Sequence, residues 1–142
     1  MSNKPKVLVA RAIFPDLLAK LEESFEVRSN QADQVFTAEE LQKELSSVAG
    51  ALVTGSERID ATALANAKNL KIVANISVGY NNFDVPAITA AGVMASNTPD
   101  VLTDSTADFG FALAVNVPLP VLVPIAKVIE FAAELTVFEY TS

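Results

Sequence analysis

Ser77, Val78, Gly79 and Tyr80 form the leading place in this sequence where residue types and spacing suggest ligand chemistry. They stand between an apolar run, Lys71 to Ile76, and a helix start at Asp84. A strand that ends in a Ser-x-Gly turn leaves backbone N–H groups pointing outward beyond its carboxyl end. Such donors carry fixed partial positive charge and can hold a small anion. The turn also has a plain structural reading, a tight strand-to-helix connection in which Gly79 supplies an unusual φ. Asn81 and Asn82 add polar side chains beside it, and Asp84 reads as an N-cap. Arg11 and Arg58 each follow an apolar run, which places them near the same edge. Either suits a carboxylate, with Arg58 read as a surface residue.

What is absent narrows the chemistry. The chain has no His, the commonest acid or base at neutral pH. It has no Cys, which excludes disulfides, thiolate metal sites and a Cys nucleophile and fits a cytoplasmic setting. The five glycines, Gly50, Gly55, Gly79, Gly92 and Gly110, never stand two apart, so neither Gly-x-Gly-x-x-Gly nor a phosphate-binding P-loop occurs. No Gly-x-Ser-x-Gly elbow is present. Asp100, Asp104 and Asp108 recur every fourth residue but read as solvated helix and cap positions. The residues therefore give no catalytic group, no metal site and no cofactor bound by this chain.

Length and composition set the frame. At 142 residues, 51% hydrophobic and 19% charged, the chain is long and apolar enough for one folded domain. A net charge of −7 and a pI near 4.5 argue against a nucleic-acid partner. Between Asp108 and Lys127 there is no charge, but Pro118, Pro120 and Pro124 argue against a membrane helix there.

Short apolar runs alternate with helical patterns. Lys6 to Ala10, Phe25 to Arg28, Gly50 to Thr54, Lys71 to Ile76 and Val93 to Ser96 read as strands. Between them, Leu17, Leu18 and Leu21 mark a helix from Pro15 to Phe25. Thr37 and Glu40 form a capping box ahead of Leu41, Leu45 and Val48. Asp60 caps a helix to about Ala67, and Asp84 caps one that stops at Gly92, the expected C′ residue. Thr103 is expected to cap a last helix through Phe109, Phe111 and Leu113. Five strands each followed by a helix imply a doubly wound parallel sheet with ligands beyond the carboxyl ends of its strands. From Val117 the rhythm stops and Pro recurs. A short helix over Val128 to Leu135 and a strand over Thr136 to Tyr140 are the elements expected there.

Three stretches together resemble the D-isomer-specific 2-hydroxyacid dehydrogenases, in the glyoxylate/hydroxypyruvate reductase and 2-ketogluconate reductase branch. They are Val78-Gly79-Tyr80-Asn81-Asn82-Phe83-Asp84, Ala90-Ala91-Gly92-Val93, and the run from Asn97-Thr98-Pro99-Asp100 through Ser105-Thr106-Ala107-Asp108 to Leu113. The resemblance covers roughly residues 5 to 114. It implies a flavodoxin-like substrate-binding domain over residues 1–114, with strand order 2-1-3-4-5. It also implies that the Val78–Gly79 turn offers N–H groups to a substrate carboxylate, and that Thr106 lies near the nicotinamide of NAD(P) at the hinge of the full-length enzymes. The family's nucleotide-binding domain, with its glycine fingerprint and its catalytic Arg, Glu and His, is absent from this sequence. No position matches those residues. Residues 115–142 are expected to be an atypical Pro-rich apolar tail, truncated, frameshifted or foreign, and a surface for self-association.

Two functions are therefore expected. The first is a substrate-binding portion that holds a small 2-oxo or 2-hydroxy acid weakly and is inactive on its own. The alternative is a non-enzymatic flavodoxin-like interaction module. A phosphoacceptor receiver is excluded because Arg11 and Thr54-Gly55 stand where its acidic residues belong. A flavodoxin is excluded because Ala12-Ile13-Phe14-Pro15 is no phosphate loop.

Overall fold

Residues that alternate poorly but run apolar, such as Val7-Leu8-Val9 and Ala51-Leu52-Val53, suit strands covered on both faces, and they form the middle of a parallel sheet. The computed structural model describes residues 4–116. These belong to two units, Met1–Asp100 and Val101–Ser142. In the first unit the chain runs β1 (Lys6–Val9), α1 (Pro15–Ser24), β2 (Glu26–Ser29), α2 (Ala38–Leu45), β3 (Gly50–Val53), α3 (Ala61–Leu64), β4 (Ile72–Asn75), α4 (Val85–Ala90) and β5 (Met94–Ser96). All four strand pairings are parallel, in the order β2-β1-β3-β4-β5. This is the flavodoxin-like order that the family resemblance implies.

The register decides which side chains meet. Leu8 stands opposite Ala51, Ala51 opposite Val73, and Val73 opposite Ala95, so this row shares one face. Against it pack Leu41 and Leu45 of α2, Ala63 and Leu64 of α3, and Ile88 of α4, which make one continuous core. Leu8 and Leu45 are wholly buried, and each contributes about 1.5–3 kcal/mol from burial. The other face carries Val7, Val9, Leu52, Ile72 and Ala74. With Leu21 and Phe25 these line a shallow apolar groove of about 170 Å³.

Local signals explain the helix starts. The capping box is complete: Glu40 N–H donates to Thr37 Oγ1 (3.2 Å) and Thr37 N–H donates to Glu40 Oε2 (2.8 Å). Asp60 Oδ1 accepts from Thr62 and Ala63 N–H, and Asp84 Oδ1 from Ala87 N–H. Gly92 has φ +67°, the left-handed value a C′ glycine supplies.

Three expectations change. The helix after Asp60 is only Ala61–Leu64, because Ala65, Ala67 and Leu70 donate to carbonyls three residues back and wind the chain into tight turns. Gly79 does not adopt a positive φ, and a Cβ there would meet nothing within 4 Å. The unusual-φ explanation for this glycine therefore fails. In the second unit, α5 (Thr103–Asn116) takes in Thr103 as its first residue instead of using it as a cap. The elements expected within residues 117–142 lie outside the described residues. Among the described residues no helix is long and apolar enough to cross a membrane.

Candidate anion-binding turn at the carboxyl edge

β4 lies between β3 and β5, so the segment that follows it is flanked by the loop after β3 and the segment after β5. Hydrogen bonds from both flanks, and from β4 itself, hold Ser77 to Tyr80. On the β3 side, Gly55 N–H donates to Ser77 Oγ (3.1 Å). On the β5 side, Thr98 N–H donates to Ser77 O (3.1 Å) and Asn97 Nδ2 to Val78 O (2.7 Å). From β4, Asn75 Nδ2 donates to both Gly79 O and Asn82 Oδ1 (3.0 Å each).

Asn82 extends this network across the edge. Its Nδ2 donates to Thr54 O (3.0 Å) and Glu57 O (2.9 Å), and its carbonyl accepts from Ile59 N–H (2.8 Å). Asp84 N–H then donates to Ile59 O (2.8 Å), so the two loops pair as a short parallel bridge beyond the sheet. Phe83 and Ile59 are buried beneath it.

The backbone N–H groups of Val78, Gly79 and Tyr80 meet no acceptor among the described residues. Val78 and Tyr80 are exposed, at 40% and 56%. On the β5 side, Tyr80 also lines a shallow cavity of about 300 Å³ with Phe83, Val85, Ala95, Ser96 and Asn97. All four predicted site residues of the turn are thus brought together at one edge. Unpaired N–H donors grouped in one turn can donate to a carboxylate.

The arginines do not join them. Arg11 Nε and Nη2 grip Asp33 (2.9 and 3.2 Å), and its Nη1 lies 3.4 Å from Ser56 Oγ and 3.9 Å from Glu57 Oε1. Arg11, together with Ala12 N–H, holds the Asp33 carboxyl below its ordinary range, and Asp33 raises the Arg11 guanidinium in return. Arg58 pairs with Asp60 (3.0 Å) while 74% exposed, as a surface residue does. The Ala63 N–H first, then Arg58, lowers the Asp60 carboxyl. Thr106 lies in α5, exposed, with its N–H donating to Leu102 O.

Sequence reasoning missed Asn75, Asn97 and Glu57. Asn75 is only 2% exposed, and one amide closing an otherwise apolar strand was the available signal. Glu57 is equally buried; its Oε2 accepts from Thr54 N–H (2.8 Å) and Thr54 Oγ1 (2.9 Å), which closes the loop after β3 on itself. Among the described residues no group of three His, Cys, Asp or Glu side chains could hold a metal ion.

Residues 7–138 match the family model for the D-isomer specific 2-hydroxyacid dehydrogenase catalytic domain, further along the chain than the motifs quoted above. A glyoxylate reductase from Pyrococcus furiosus is 44% identical over 110 residues, which is 78% of this chain and 33% of that protein. A glyoxylate/hydroxypyruvate reductase B from Citrobacter koseri is 35% identical over 138 residues, 97% of this chain and 40% of that protein. Among solved structures, an NADPH-dependent glyoxylate/hydroxypyruvate reductase from Sinorhizobium meliloti, in complex with NADP and malonate, superposes with a TM-score of 0.63 at 32% identity. That match covers 80% of this chain and 34% of the other. The chain thus spans between a third and two-fifths of the length of these relatives.

Proposed function

Because this chain belongs to the D-isomer specific 2-hydroxyacid dehydrogenase family, we propose that Ser77 to Tyr80 receive the carboxylate of a small 2-oxo or 2-hydroxy acid. The observation that carries this reading is Gly79. Its φ is not positive and a Cβ would stand in open space, so neither backbone angle nor packing among the described residues requires glycine there. An anion reaching the N–H groups of Val78, Gly79 and Tyr80 does require it, because a side chain would occupy the approach. Arg11, committed to Asp33, offers no second anchor, so the substrate is held by backbone donors alone.

In the whole enzyme the reaction is hydride transfer between a nicotinamide and the 2-oxo carbon. The residues of this chain do not fit a dinucleotide, since no two glycines stand two apart. Thr106 is the residue proposed to contact the nicotinamide in the full-length family. By itself the chain binds substrate weakly and does not turn it over. Each N–H bond to a carboxylate contributes about 1.5–3 kcal/mol at most, and the cost of association offsets much of their sum, so dissociation constants on the order of millimolar or weaker are expected.

The test is a titration of the isotope-labelled chain with glyoxylate, followed by NMR, beside an assay of NADH and NADPH oxidation with glyoxylate or hydroxypyruvate. Shifts centred on Val78, Gly79 and Tyr80 without oxidation are expected. Shifts elsewhere with these three unmoved would refute the site, and substrate-dependent oxidation would refute the inactivity. A second reading, self-association as an interaction module, is favoured by the exposed Phe109, Phe111, Leu113 and Val115 of α5. A monomeric mass in light scattering across a concentration series would remove it.

A further inference from the structure

The network beneath the turn fixes where its donors point. The chain has no cis peptide bond among the described residues, and in a trans peptide the C=O and the following N–H point in opposite directions. Each anchored carbonyl therefore aims the next residue's N–H. Ser77 C=O is held by Thr98 N–H and Val78 C=O by Asn97 Nδ2, both on the β5 side. The N–H groups of Val78 and Gly79 consequently point together away from β5, whereas successive peptides of an extended chain would alternate. Gly79 C=O is held from below by Asn75 Nδ2, which turns the Tyr80 N–H outward.

We infer that Asn97 and Asn75 are positioning residues for the anion-binding turn, each clamping one carbonyl so that the following N–H is presented to the ligand. This rests on the carboxylate reading proposed above. The amide orientations are forced by their neighbours. Asn82 Nδ2 faces two carbonyls, Thr54 O and Glu57 O, so its Oδ1 must face Asn75. Asn75 then meets two acceptors, Gly79 O and Asn82 Oδ1, and must present its NH2 group to both. A carboxylate at position 75 or 97 has no donor to offer and would repel the carbonyl it replaces the clamp on. The Asn75 side chain is buried while the Asn97 bond lies near the surface, so the two positions differ in their tolerance of substitution.

The experiment compares the full chain with its Asn97→Ala, Asn97→Asp and Asn75→Asp variants by NMR, urea melts and glyoxylate titration. In the ligand-free protein, Asn97→Ala should displace the Gly79 amide resonance, because that N–H shares a peptide with the Val78 carbonyl. Glyoxylate affinity should fall about tenfold, the effect of one lost charge-assisted hydrogen bond, with the urea midpoint unchanged. Asn97→Asp should weaken binding further. Asn75→Asp should displace Tyr80, and if it fails to fold the Asn97 variants decide. A Gly79 resonance left in place in Asn97→Ala, or an affinity lost only in proportion to stability, would overturn the inference. If glyoxylate leaves the parent turn unmoved, the carboxylate reading fails separately, and the ligand-free Gly79 resonance still judges the clamp.

Discussion

Gly79→Ala separates a glycine kept for the fold from one kept for a ligand. The added Cβ would meet nothing within 4 Å, and φ at this position is not positive. The folded state therefore loses no contact and gains no clash, while the unfolded chain loses freedom. The variant should be as stable as the parent or more stable by about 0.4–1 kcal/mol. Gly92→Ala is the internal control. Its φ of +67° forces Ala into the left-handed region, which costs about 1–2 kcal/mol. Urea melts of the three proteins should thus rank Gly92→Ala below the parent and Gly79→Ala at or above it. Binding should rank differently. A methyl between the donors of Gly79 and Tyr80 displaces the anion from at least one of them, and affinity for glyoxylate falls about tenfold or more. Gly92→Ala, remote from the turn in sequence, should bind as the parent does when folded. A loss of more than about 1 kcal/mol in Gly79→Ala, or undiminished glyoxylate binding, would refute the reasoning.

Thr37→Ala removes the acceptor of Glu40 N–H and should lower stability by about 1 kcal/mol, read from the urea midpoint at unchanged slope. Leu45→Ala empties a wholly buried position facing α3 and the sheet and should cost about 2–5 kcal/mol in the same melt. Acid should destabilise the protein through Asp33, Glu40 and Asp60, whose carboxyls are all held below their ordinary range in the folded state. The unfolded chain takes up those protons first, so their contribution is complete above the ordinary carboxylate range and is lost as pH falls towards the folded values. Asp60→Asn should flatten that decline, and an equal acid slope in both proteins would contradict the assignment.

The fold was legible because each local signal agreed with the next. Thr37 and Glu40 closed the box their spacing announces, Gly92 took the left-handed angle, and five apolar runs paired in parallel as a doubly wound sheet requires, in the order the family resemblance implied. The short α3 was not legible, because nothing in Asn66-Ala67-Lys68 announces that bonds to the third residue back will replace those to the fourth. The turn itself was legible as a Ser-x-Gly break after a strand. Its supports were not. Asn75 and Asn97 act on carbonyls reached only when β4 and β5 lie side by side, and no spacing rule encodes that meeting. Arg11 was legible as a residue suited to a carboxylate, but its partner was not: Asp33 stands beyond β2, a strand that joins it only in the folded sheet.

The bridge between Ile59 and Phe83 bears on the thermodynamics of any ligand that reaches this edge. Its two bonds, both 2.8 Å, join loops that would otherwise sample many conformations independently. Immobilising such a segment at the moment of association would subtract on the order of 1–2 kcal/mol for each residue ordered. Here that entropy is surrendered during folding, so the ligand meets a surface already fixed. Amide exchange at Ile59 and Asp84 should accordingly be slow for loop residues, and binding at the turn should show little heat-capacity change from loop ordering.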